Sequence, residues 1–504
     1  MALIDAREAP DGSEIEADVV VVGGGIAGAT LGRELAGSPL RVAVIESGGR
    51  EPDAATQDLY RGAASLVTPD GAERSIDAFL VDSRVRRLGG TGNVWGGRCI
   101  PLSPIDFRRR AWLPNSGWPL NRRVLDPFYA RACAHLDVPR FTGRPEDPGP
   151  YAVSPDFWSQ PGYWSPLTGR REPARFDRFR AGHAEASNIA IWLHANVREI
   201  VVDPKTEAVS RLEIACLNGR RHTARGRVYI LATGGIENAR LLLASNRVRQ
   251  EGVANRQGLV GRYFQGHLAY IAREKAEEAT SIALTAEADL TPYDFPTGRQ
   301  AHLTFATTAR AQTRLKVGGF DANIYRRHKI GPDPTAAAVL AMAGRIDRGD
   351  PAAAVRHVIG VQAEQPPIPD SRITLGQETD ALGMPRVQLR WVLPSSHWDT
   401  LDRSVDALAQ GLGQQGRGRV CWPLSRERYG EMLVWARHHV GSTRMHRDPE
   451  HGVVDPNGRT HDVRNLYIAG SSVFPTSGIA NPTLTIAALA IRMADHLKQT
   501  LGEV

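Results

Sequence analysis

The sequence predicts an α/β fold, α+β overall, in which alternating strands and helices are joined to an antiparallel sheet covered by helices. Three observations support this prediction. The chain opens with an apolar strand, a glycine turn and an amphipathic segment. Between about residues 265 and 420 the pattern changes to separated short strands, which is typical of an antiparallel sheet. After that region the chain returns to strand, turn and helix.

The opening βαβ unit is predicted as a strand at 18–22, a helix at 26–36 and a strand at 41–46. The remaining elements follow in chain order. They are a helix at 123–136, a Pro/Gly-rich connector at 141–173, three strands and a helix at 189–246, strands at 359–364, 372–375 and 386–392, a helix at 397–412 and a helix at 482–498.

Composition limits the classes of protein that fit. The chain has 504 residues, of which 42% are hydrophobic and 23% charged, and these fractions are ordinary for a globular protein. No apolar run approaches the roughly 18 residues of a membrane helix, so no membrane span is expected. The first residues carry acids where a secretory signal would carry an apolar run, so we expect a cytoplasmic protein.

Cysteines and charges give no sign of a metal or a nucleic-acid partner. The four cysteines, Cys99, Cys133, Cys216 and Cys421, never form a CxxC pair, which argues against a metal site or a disulfide framework. The net charge is +7, but only five residues are lysines and the arginines are spread along the chain. The one dense run, at 108–110, is expected to be a solvated face. Binding of nucleic acid is therefore not expected.

The glycine turn has the context of a dinucleotide site. Gly23, Gly25 and Gly28 fit G-x-G-x-x-G between an apolar strand and a helix, so a pyrophosphate can bind the free amides at the helix N-terminus. Glu46 ends the next strand, where a carboxylate accepts hydrogen bonds from the adenosine ribose. The alternative is a chance turn with a surface glutamate. The pattern predicts a Rossmann-like domain and disfavours NADP, but it does not choose FAD over NAD.

Two segments near the C-terminus favour FAD over NAD. They are HHVGSTRM at 438–445 and NLYIAGSSVFPTSGIANPTLT at 465–485. Here the chain resembles the glucose–methanol–choline (GMC) family of FAD-dependent oxidoreductases, and it is most similar to the branch of pyranose oxidase and bacterial sugar and polyol dehydrogenases. Other segments carry the same resemblance, and they are residues 88–97, 117–120, 126–129, 259–264 and 369–375.

The resemblance implies oxidation of an alcohol, with hydride transfer to flavin N5 and His438 as the general base. Imidazole suits this role because its ordinary pKa near 6.5 leaves it mostly neutral at pH 7. Spacing alone does not exclude His439, but alignment of the motif to Gly441 favours His438. Asn481 stands where many relatives have a second histidine, and its amide can hold the substrate oxygen. Asn481 and Pro482 also suit the N-cap and first turn of the following helix.

Further contacts to FAD are implied by position in the family motifs, although each of these small residues also suits a strand end. They are Ala27, Gly90, Thr91, Asn93, Val197, Ala232, Gly234, Gly470, Ser471, Pro482 and Thr483. One departure matters. Several relatives bind FAD covalently through a histidine in the loop at 90–97, and this chain has Val94 at that place. We therefore expect noncovalent FAD.

The resemblance also suggests a division of the chain. Residues 15–264 are predicted to form the FAD-binding domain, with a loop-rich insertion at about 111–187. Residues 265–422 are predicted to form the substrate-binding domain, and residues 423–504 return to the FAD-binding domain with the catalytic pair.

Three functions remain open from sequence. The first is oxidation of a sugar, glycoside or polyol, and the second is oxidation of a sterol or aliphatic alcohol. The third is an electron-transfer flavoprotein subunit without its own alcohol site. His438 and Asn481 argue against the third, because an electron carrier needs neither. The polar residues at 265–420 favour a polar small-molecule substrate. The electron acceptor, whether oxygen, a quinone or a carrier protein, leaves no motif.

Overall fold

The structure is a computed structural model that describes most of the chain. The described residues are 2–141, 154–167, 186–270, 281–285, 293–294, 300–325, 354–416, 418–422, 426–429, 433–435 and 437–502. Much of the predicted connector at 141–173 lies outside the described residues.

The first sheet carries the glycine turn, and eight of the described strands belong to it. Six run parallel to one another, in the order Ala2–Asp5, Ile189–Leu193, Val42–Ile45, Glu14–Val22, Arg221–Leu231 and Leu466–Ile468. Two more extend the sheet as antiparallel neighbours, and they are Ala208–Ala215 and Asn196–Asp203. The predicted βαβ opening is confirmed, with the helix at Ile26–Leu35.

The apolar run before the turn is explained by burial on both faces of this sheet. Val19 and Val21 pack into a core that also contains Leu31 of the first helix. Val20 and Val22 point the other way, into the main core of the protein. A parallel strand covered on both sides has no solvent face, so its sequence shows no polar alternation. Helix Thr483–Leu501 packs against the first helix and covers this face of the sheet.

The second sheet is antiparallel, as the separated short strands predict. Within the described residues its main path runs Gly418–Cys421, Ser281–Thr285, Ala354–Ala363, Phe320–Tyr325, Gln300–Thr307, Phe157–Trp164 and Arg98–Cys99, with Leu268–Tyr270, Leu433–Trp435 and Tyr293–Asp294 attached to it. Helix Ser395–Gln414 packs on this sheet through a face that includes Leu401, Val405 and Leu408, so the predicted helical cover is confirmed.

The third sheet joins distant parts of the chain. Strand Gly62–Val67 pairs in parallel with Pro385–Val392, which is flanked by Arg372–Thr379, and Glu73–Ser75 completes the sheet. The other described helices are Ala54–Asp58, Ala78–Asp82, Arg122–His135, Gly234–Ala244, Ala309–Leu315 and Arg426–Tyr429. No helix in the described part of the chain combines the length and the apolar character that a membrane crossing requires.

One expectation about the surface is wrong in part. Arg108 and Arg109 are exposed, but Arg110 is 2% exposed and forms a bidentate ion pair with Glu364, at 2.7 Å for each contact. Glu364 is fully buried, and the Arg110 guanidinium holds the pKa of its carboxyl below the usual range despite the desolvation that opposes this. Sequence could not reveal the pair, because the two residues are 254 positions apart.

Candidate active site

The glycine turn and Glu46 are bound to each other. Oε2 of Glu46 accepts a hydrogen bond from the amide of Gly24 at 2.8 Å, and Oε1 accepts one from the amide of Gly48 at 2.8 Å. The carboxylate is 5% exposed and lies on the wall of a large cavity. The strand ends of the first sheet therefore place an acid beside the helix N-terminus, at the carboxyl edge where α/β sheets bind ligands.

Three helices open into the same cavity without a side-chain cap. They begin at Ile26, Gly234 and Thr483, and the residue before each helix makes no capping hydrogen bond with its side chain. The first turn of every helix leaves backbone N–H groups without intrahelical acceptors, and the helix dipole makes that end partly positive. The cavity thus presents three groups of free donors, which suit the pyrophosphate and the carbonyl groups of a flavin dinucleotide.

The cavity is large enough for a cofactor and carries a positive charge. Its volume is about 810 Å³, within the range of small-molecule sites in proteins. Its charged lining residues are five arginines and two glutamates, namely Arg84, Arg86, Arg87, Arg98, Arg437, Glu46 and Glu237. Glu237 accepts from Arg84 at 2.8 Å and Arg86 at 3.2 Å. Although burial opposes it, the charges of the neighbouring arginines lower the pKa of Glu237 to about 2. The excess of positive charge fits a dianionic pyrophosphate.

Most residues singled out from the sequence line this cavity. These are Gly23, Gly25, Ala27, Glu46, Gly90, Thr91, Val197, Ala232, Gly234, His438, Gly470, Ser471, Asn481, Pro482 and Thr483. Gly28 and Asn93 do not line it. The amide of Asn93 instead donates to the carbonyls of Leu88 and Gly90 and fixes the loop that contains Val94.

His438 lies at the centre of a chain of hydrogen bonds. Its Nδ1 is 2.9 Å from Nδ1 of His267, and its Nε2 is 3.3 Å from Nδ2 of Asn481. Nε2 of His267 is 3.0 Å from the carbonyl oxygen of Gly478. The two imidazole rings meet edge to face at 87°, with centroids 4.9 Å apart.

Only one arrangement of protons satisfies this chain when both rings are neutral. A carbonyl oxygen accepts but cannot donate, so Nε2 of His267 carries its proton and Nδ1 of His267 is an acceptor. Nδ1 of His438 must then be the donor between the rings, which leaves the lone pair of His438 on Nε2. That nitrogen accepts from the amide of Asn481. The array therefore directs the basic nitrogen of His438 toward the Asn481 side.

Sequence reasoning missed His267. It is 1% exposed, it directly precedes strand Leu268–Tyr270, and it is 171 positions from His438. A histidine next to a short apolar strand carries no local signal of function. Its proximity to the motif at 259–264 was the only indication in the sequence.

His439, the alternative base, has a different environment. Its ring lies edge-on to Phe79 at 5.2 Å and is stacked near Phe264 at 6.1 Å, and its Nε2 is buried with no hydrogen-bond partner among the described residues. Burial is the main reason that the pKa of His439 is lowered to about 3. These contacts are those of a packed side chain, and His439 also lines the cavity, next to His438.

The N-cap role considered for Asn481 is wrong. The helix begins at Thr483, Pro482 precedes it, and no side chain caps its first turn. The amide of Asn481 instead faces His438. Pro482 supplies no N–H and so removes one donor that a cap would otherwise have to satisfy.

The environment also changes the expected ionisation of His438. Burial, and then the nearby His267, His439 and Arg98, hold its pKa well below the ordinary value of 6.5. Burial likewise lowers the pKa of His267 to about 4. Both imidazoles are therefore neutral throughout the neutral pH range, which is the state that accepts a proton.

The buried ion pair described above supports the loop that carries Asn481. Oε1 of Glu364 accepts from the amide of Gly478 at 3.2 Å, while the carbonyl of Gly478 accepts from His267. Burial and the neighbouring Glu364 raise the pKa of Asp106, next to Gly478, to about 7. The loop is thus held by charged groups that lie beneath it in the core.

Comparison with protein families agrees with this geometry. The FAD dependent oxidoreductase family matches residues 18–380, which is most of the chain. This protein belongs to the FAD-dependent oxidoreductases. Residues 367–490, which contain His438 and Asn481, match the GMC oxidoreductase family. The resemblance read from the sequence motifs is therefore confirmed.

Relatives of this oxidoreductase align along almost its whole length. The 2-methyl-1,2-propanediol dehydrogenase of Mycolicibacterium austroafricanum is 23% identical, over 97% of this chain and 96% of its own. The paromamine 6'-oxidase of Streptomyces fradiae is 26% identical, over 95% and 90%. The fructose dehydrogenase large subunit of Gluconobacter japonicus is 23% identical, over 97% and 99%.

Solved structures show the same fold. The pyridoxine 4-oxidase of Mesorbium loti superimposes with a TM-score of 0.60 at 18% identity, covering 96% of this chain and 99% of its own. A formate oxidase of Aspergillus oryzae, from a study of FAD modification, superimposes with a TM-score of 0.58 at 15% identity, over 98% and 100%. The α/β fold of the oxidoreductase is thus confirmed.

Two glycines of the turn are required for different reasons: Gly28 for packing of the fold and Gly25 for binding of the cofactor. A Cβ at Gly28 would lie 1.9 Å from the carbonyl oxygen of Gly23, whereas a Cβ at Gly25 would meet nothing within 4 Å. We expect Gly28→Ala to destabilise the FAD-free protein by about 1–3 kcal/mol through overpacking. Gly25→Ala should leave its melting temperature unchanged and weaken FAD binding at least about tenfold, because the methyl group occupies space reserved for the phosphates.

Thermal melts of the FAD-free variants and FAD titrations measure both effects. Normal FAD affinity in Gly25→Ala would mean that the dinucleotide does not approach this turn.

Proposed function

We propose that this FAD-dependent alcohol oxidoreductase oxidises a CH–OH group of a sugar, glycoside or polyol to a carbonyl, with His438 as the general base. The observation that carries the proposal is the hydrogen-bond chain from Asn481 through His438 to His267, on the wall of the same cavity as the glycine turn. FAD, when bound, supplies the acceptor for the hydride that leaves the alcohol carbon.

His438, Asn481 and His267 have different roles in the proposed proton transfer. The lone pair on Nε2 of His438 receives the alcohol proton, and Asn481 donates a hydrogen bond to the substrate oxygen without competing for that proton. The neutral state imposed on His438 by burial makes it ready to accept. His267 acts through His438, because its Nδ1 holds the Nδ1 proton of His438 and so keeps the lone pair on the substrate side. His267 is thus a positioning residue.

The cofactor contacts follow from the same arrangement. Glu46 is proposed to accept from the ribose hydroxyls with the lone pairs that Gly24 and Gly48 leave free. The N-terminus of helix Thr483–Leu501 is proposed to face the pyrimidine side of the flavin, where its partial positive charge stabilises the electrons that the ring receives.

The lining of the cavity and the names of the aligned relatives both favour a polar substrate. Among the residues around His438, Arg98 and Gln362 line the cavity, and such polar walls suit hydroxyl-rich substrates better than a sterol. The names of relatives that align over most of this chain include a 2-methyl-1,2-propanediol dehydrogenase, a 6'''-hydroxyparomomycin C oxidase, a paromamine 6'-oxidase and a fructose dehydrogenase large subunit. A C-glycoside 3-oxidase aligns over 24% of this chain. A long-chain-alcohol oxidase aligns over only 13% of this chain.

Replacement of His438 tests the proposed base. We expect His438→Ala to keep bound FAD and to lose roughly 10²–10⁴ of the rate of flavin reduction, the usual contribution of a positioned acid–base group. Anaerobic stopped-flow reduction by sugars, glycosides, polyols and sterols measures this rate. His439→Ala is the matched control and should retain most of it, since its ring packs against Phe79 and Phe264. If His439→Ala lost the reduction rate while His438→Ala kept it, His439 would be the base.

The pH dependence follows from the lowered pKa of His438. The protonated imidazole cannot accept a proton, so the rate must fall where His438 becomes charged. Because that pKa lies well below 6.5, the reduction rate should be constant from about pH 7 upward and decline only in acid. Asn481→Ala should be slower but keep the same acid decline, because an amide does not titrate there. A midpoint at or above neutrality would contradict the buried, neutral histidine.

Two variants of His267 separate positioning from mere packing. His267→Gln retains an oxygen acceptor for the Nδ1 proton of His438, whereas His267→Leu removes it. We expect the Leu variant to lose roughly 10–100-fold in the reduction rate and the Gln variant to recover most of that loss. In the Gln variant the acid decline should also move to higher pH, because the neighbouring imidazole that lowers the pKa of His438 is gone.

His397 provides the control for this pair, since it is also buried with a pKa lowered by burial to about 4. His397→Gln should change neither the rate nor the pH profile. Equal rates of flavin reduction in His267→Gln and His267→Leu would contradict a positioning role for His267.

We further propose that FAD is bound noncovalently, since Val94 has no atom that can form a bond to the flavin. Denaturation with acid should therefore release the whole flavin into the supernatant, which absorbance at the flavin bands measures. Flavin that stays with the precipitated polypeptide would contradict this.

A further inference from the structure

A closed set of four polar side chains lies in the second sheet, and one of them, Arg98, lines the same cavity as His438. Nη2 of Arg98 donates to Oγ1 of Thr304 at 2.6 Å and to Oδ2 of Asp321 at 3.2 Å. The hydroxyl of Thr304 donates to Oδ1 of Asn323 at 3.1 Å, and Nδ2 of Asn323 donates to Oδ1 of Asp321 at 3.2 Å. All four residues are buried, and we call them the Arg98 cluster.

The Arg98 cluster leaves guanidinium donors unused. Arg98 is 8% exposed and lines the large cavity. Its Nε is buried without an acceptor, and its Nη1 makes no hydrogen bond to any part of the chain that the structure describes. A buried charged donor without an acceptor is costly, and native proteins rarely leave one unsatisfied unless a ligand or water completes it. The described residues therefore leave donors of Arg98 without an acceptor at the wall of the cavity, where an oxygen atom of a ligand can accept from them.

Arg98 lines the same cavity as the proposed catalytic residues His438 and Asn481. Burial is the main cause of the lowered pKa of His438 and of His267, but the charge of Arg98 contributes to both. Gln362 lines the same cavity, on the strand that pairs with the strand of Asp321. A substrate whose hydroxyl is bound by His438 and Asn481 therefore shares its cavity with Arg98 and Gln362.

The charge balance of the Arg98 cluster selects the kind of oxygen. Asp321 is 2% exposed, and burial raises the pKa of its carboxyl to about 6 despite the opposing effect of Arg98. At pH 7 and above this carboxylate is mostly ionised, so it neutralises the guanidinium. The cluster thus offers N–H donors without a net charge. Donors of that kind favour a hydroxyl, since a carboxylate or phosphate would find no unbalanced positive charge there.

We propose that Arg98 binds a second, uncharged hydroxyl of the substrate, adjacent to the hydroxyl that His438 deprotonates. The preferred substrates are then neutral vicinal diols, including the ring diols of sugars, rather than simple alcohols or sugar acids. This assignment rests on the proposed function, because it assumes that an alcohol occupies the site beside His438. Arg98 determines specificity, and His438 still performs the proton transfer.

The test compares matched alcohols that differ in one hydroxyl. The pairs are 2-methyl-1,2-propanediol with 2-methyl-1-propanol and trans-1,2-cyclohexanediol with cyclohexanol. Anaerobic flavin reduction gives the rate and the apparent dissociation constant for each. Arg98→Met should lower the ratio of diol to simple-alcohol affinity by roughly 10–100-fold, through weaker binding of the diols. Arg403→Met, at an exposed arginine outside the cavity, should keep the preference of the parent.

Two further variants keep the test decisive if Arg98→Met folds poorly. Arg98→Lys preserves the ion pair with Asp321 but has no planar fork of extra donors, so it too should lose the diol preference. Asp321→Asn leaves the guanidinium unbalanced and should shift the preference from glycerol toward glycerate.

The outcomes distinguish this proposal from the one on which it rests. A parent enzyme that no alcohol or sugar reduces would overturn the proposed function itself. An active parent whose Arg98 variants keep the diol preference, or lose diols and simple alcohols equally, would overturn the role of Arg98 alone.

Discussion

The hydrogen bond between Nδ1 of His438 and Nδ1 of His267 is the contact on which the proposed chemistry depends. It joins the start of a strand in the second sheet to the first of the C-terminal motifs, at 2.9 Å. Because Gly478 accepts from the other nitrogen of His267, the direction of every proton in the chain is set by one backbone carbonyl. The same carbonyl belongs to the loop that carries Asn481. The orientation of the base and the position of its partner amide are thus fixed together.

Burial makes this arrangement useful. An exposed imidazole would be partly protonated near pH 6.5, whereas desolvation keeps His438 neutral and its lone pair available. The cost of burying so many polar groups is met by hydrogen bonds and by compensated charges. Glu364 is neutralised by Arg110 beneath the loop, and Asp321 balances Arg98 beside the cavity.

Two regions of the cavity differ in their charge. Around the glycine turn, three uncapped helix N-termini and a surplus of arginine favour the phosphates of a dinucleotide. Near His438 the guanidinium of Arg98 is balanced by Asp321, and this pair is the basis for proposing an uncharged, hydroxyl-bearing substrate there. Residues 90–92 and 94–97 also line the cavity. The proposed function thus assigns a charged cofactor and an uncharged substrate to different regions of one cavity.

Much of the cofactor site could be predicted from the sequence, because its determinants are local. A strand, a glycine turn and a helix that follow one another must place their amides together, and the structure confirms the elements within a few residues at their ends. The resemblance of the C-terminal motifs to the GMC family is confirmed as well. The roles of His438 and Asn481 remain predictions, although the structure places their side chains in contact.

The sequence by itself determined the α/β fold, the dinucleotide turn and the segment that carries His438, since each depends on residues close together in the chain. Only the tertiary structure decided which ring of the His438–His439 pair faces Asn481, and that Asn481 does not cap its helix. It alone revealed His267, the Arg98 cluster and the burial of Arg110. These features depend on contacts between residues more than 40 positions apart and on the desolvation that such contacts cause, and no local pattern of residues encodes either.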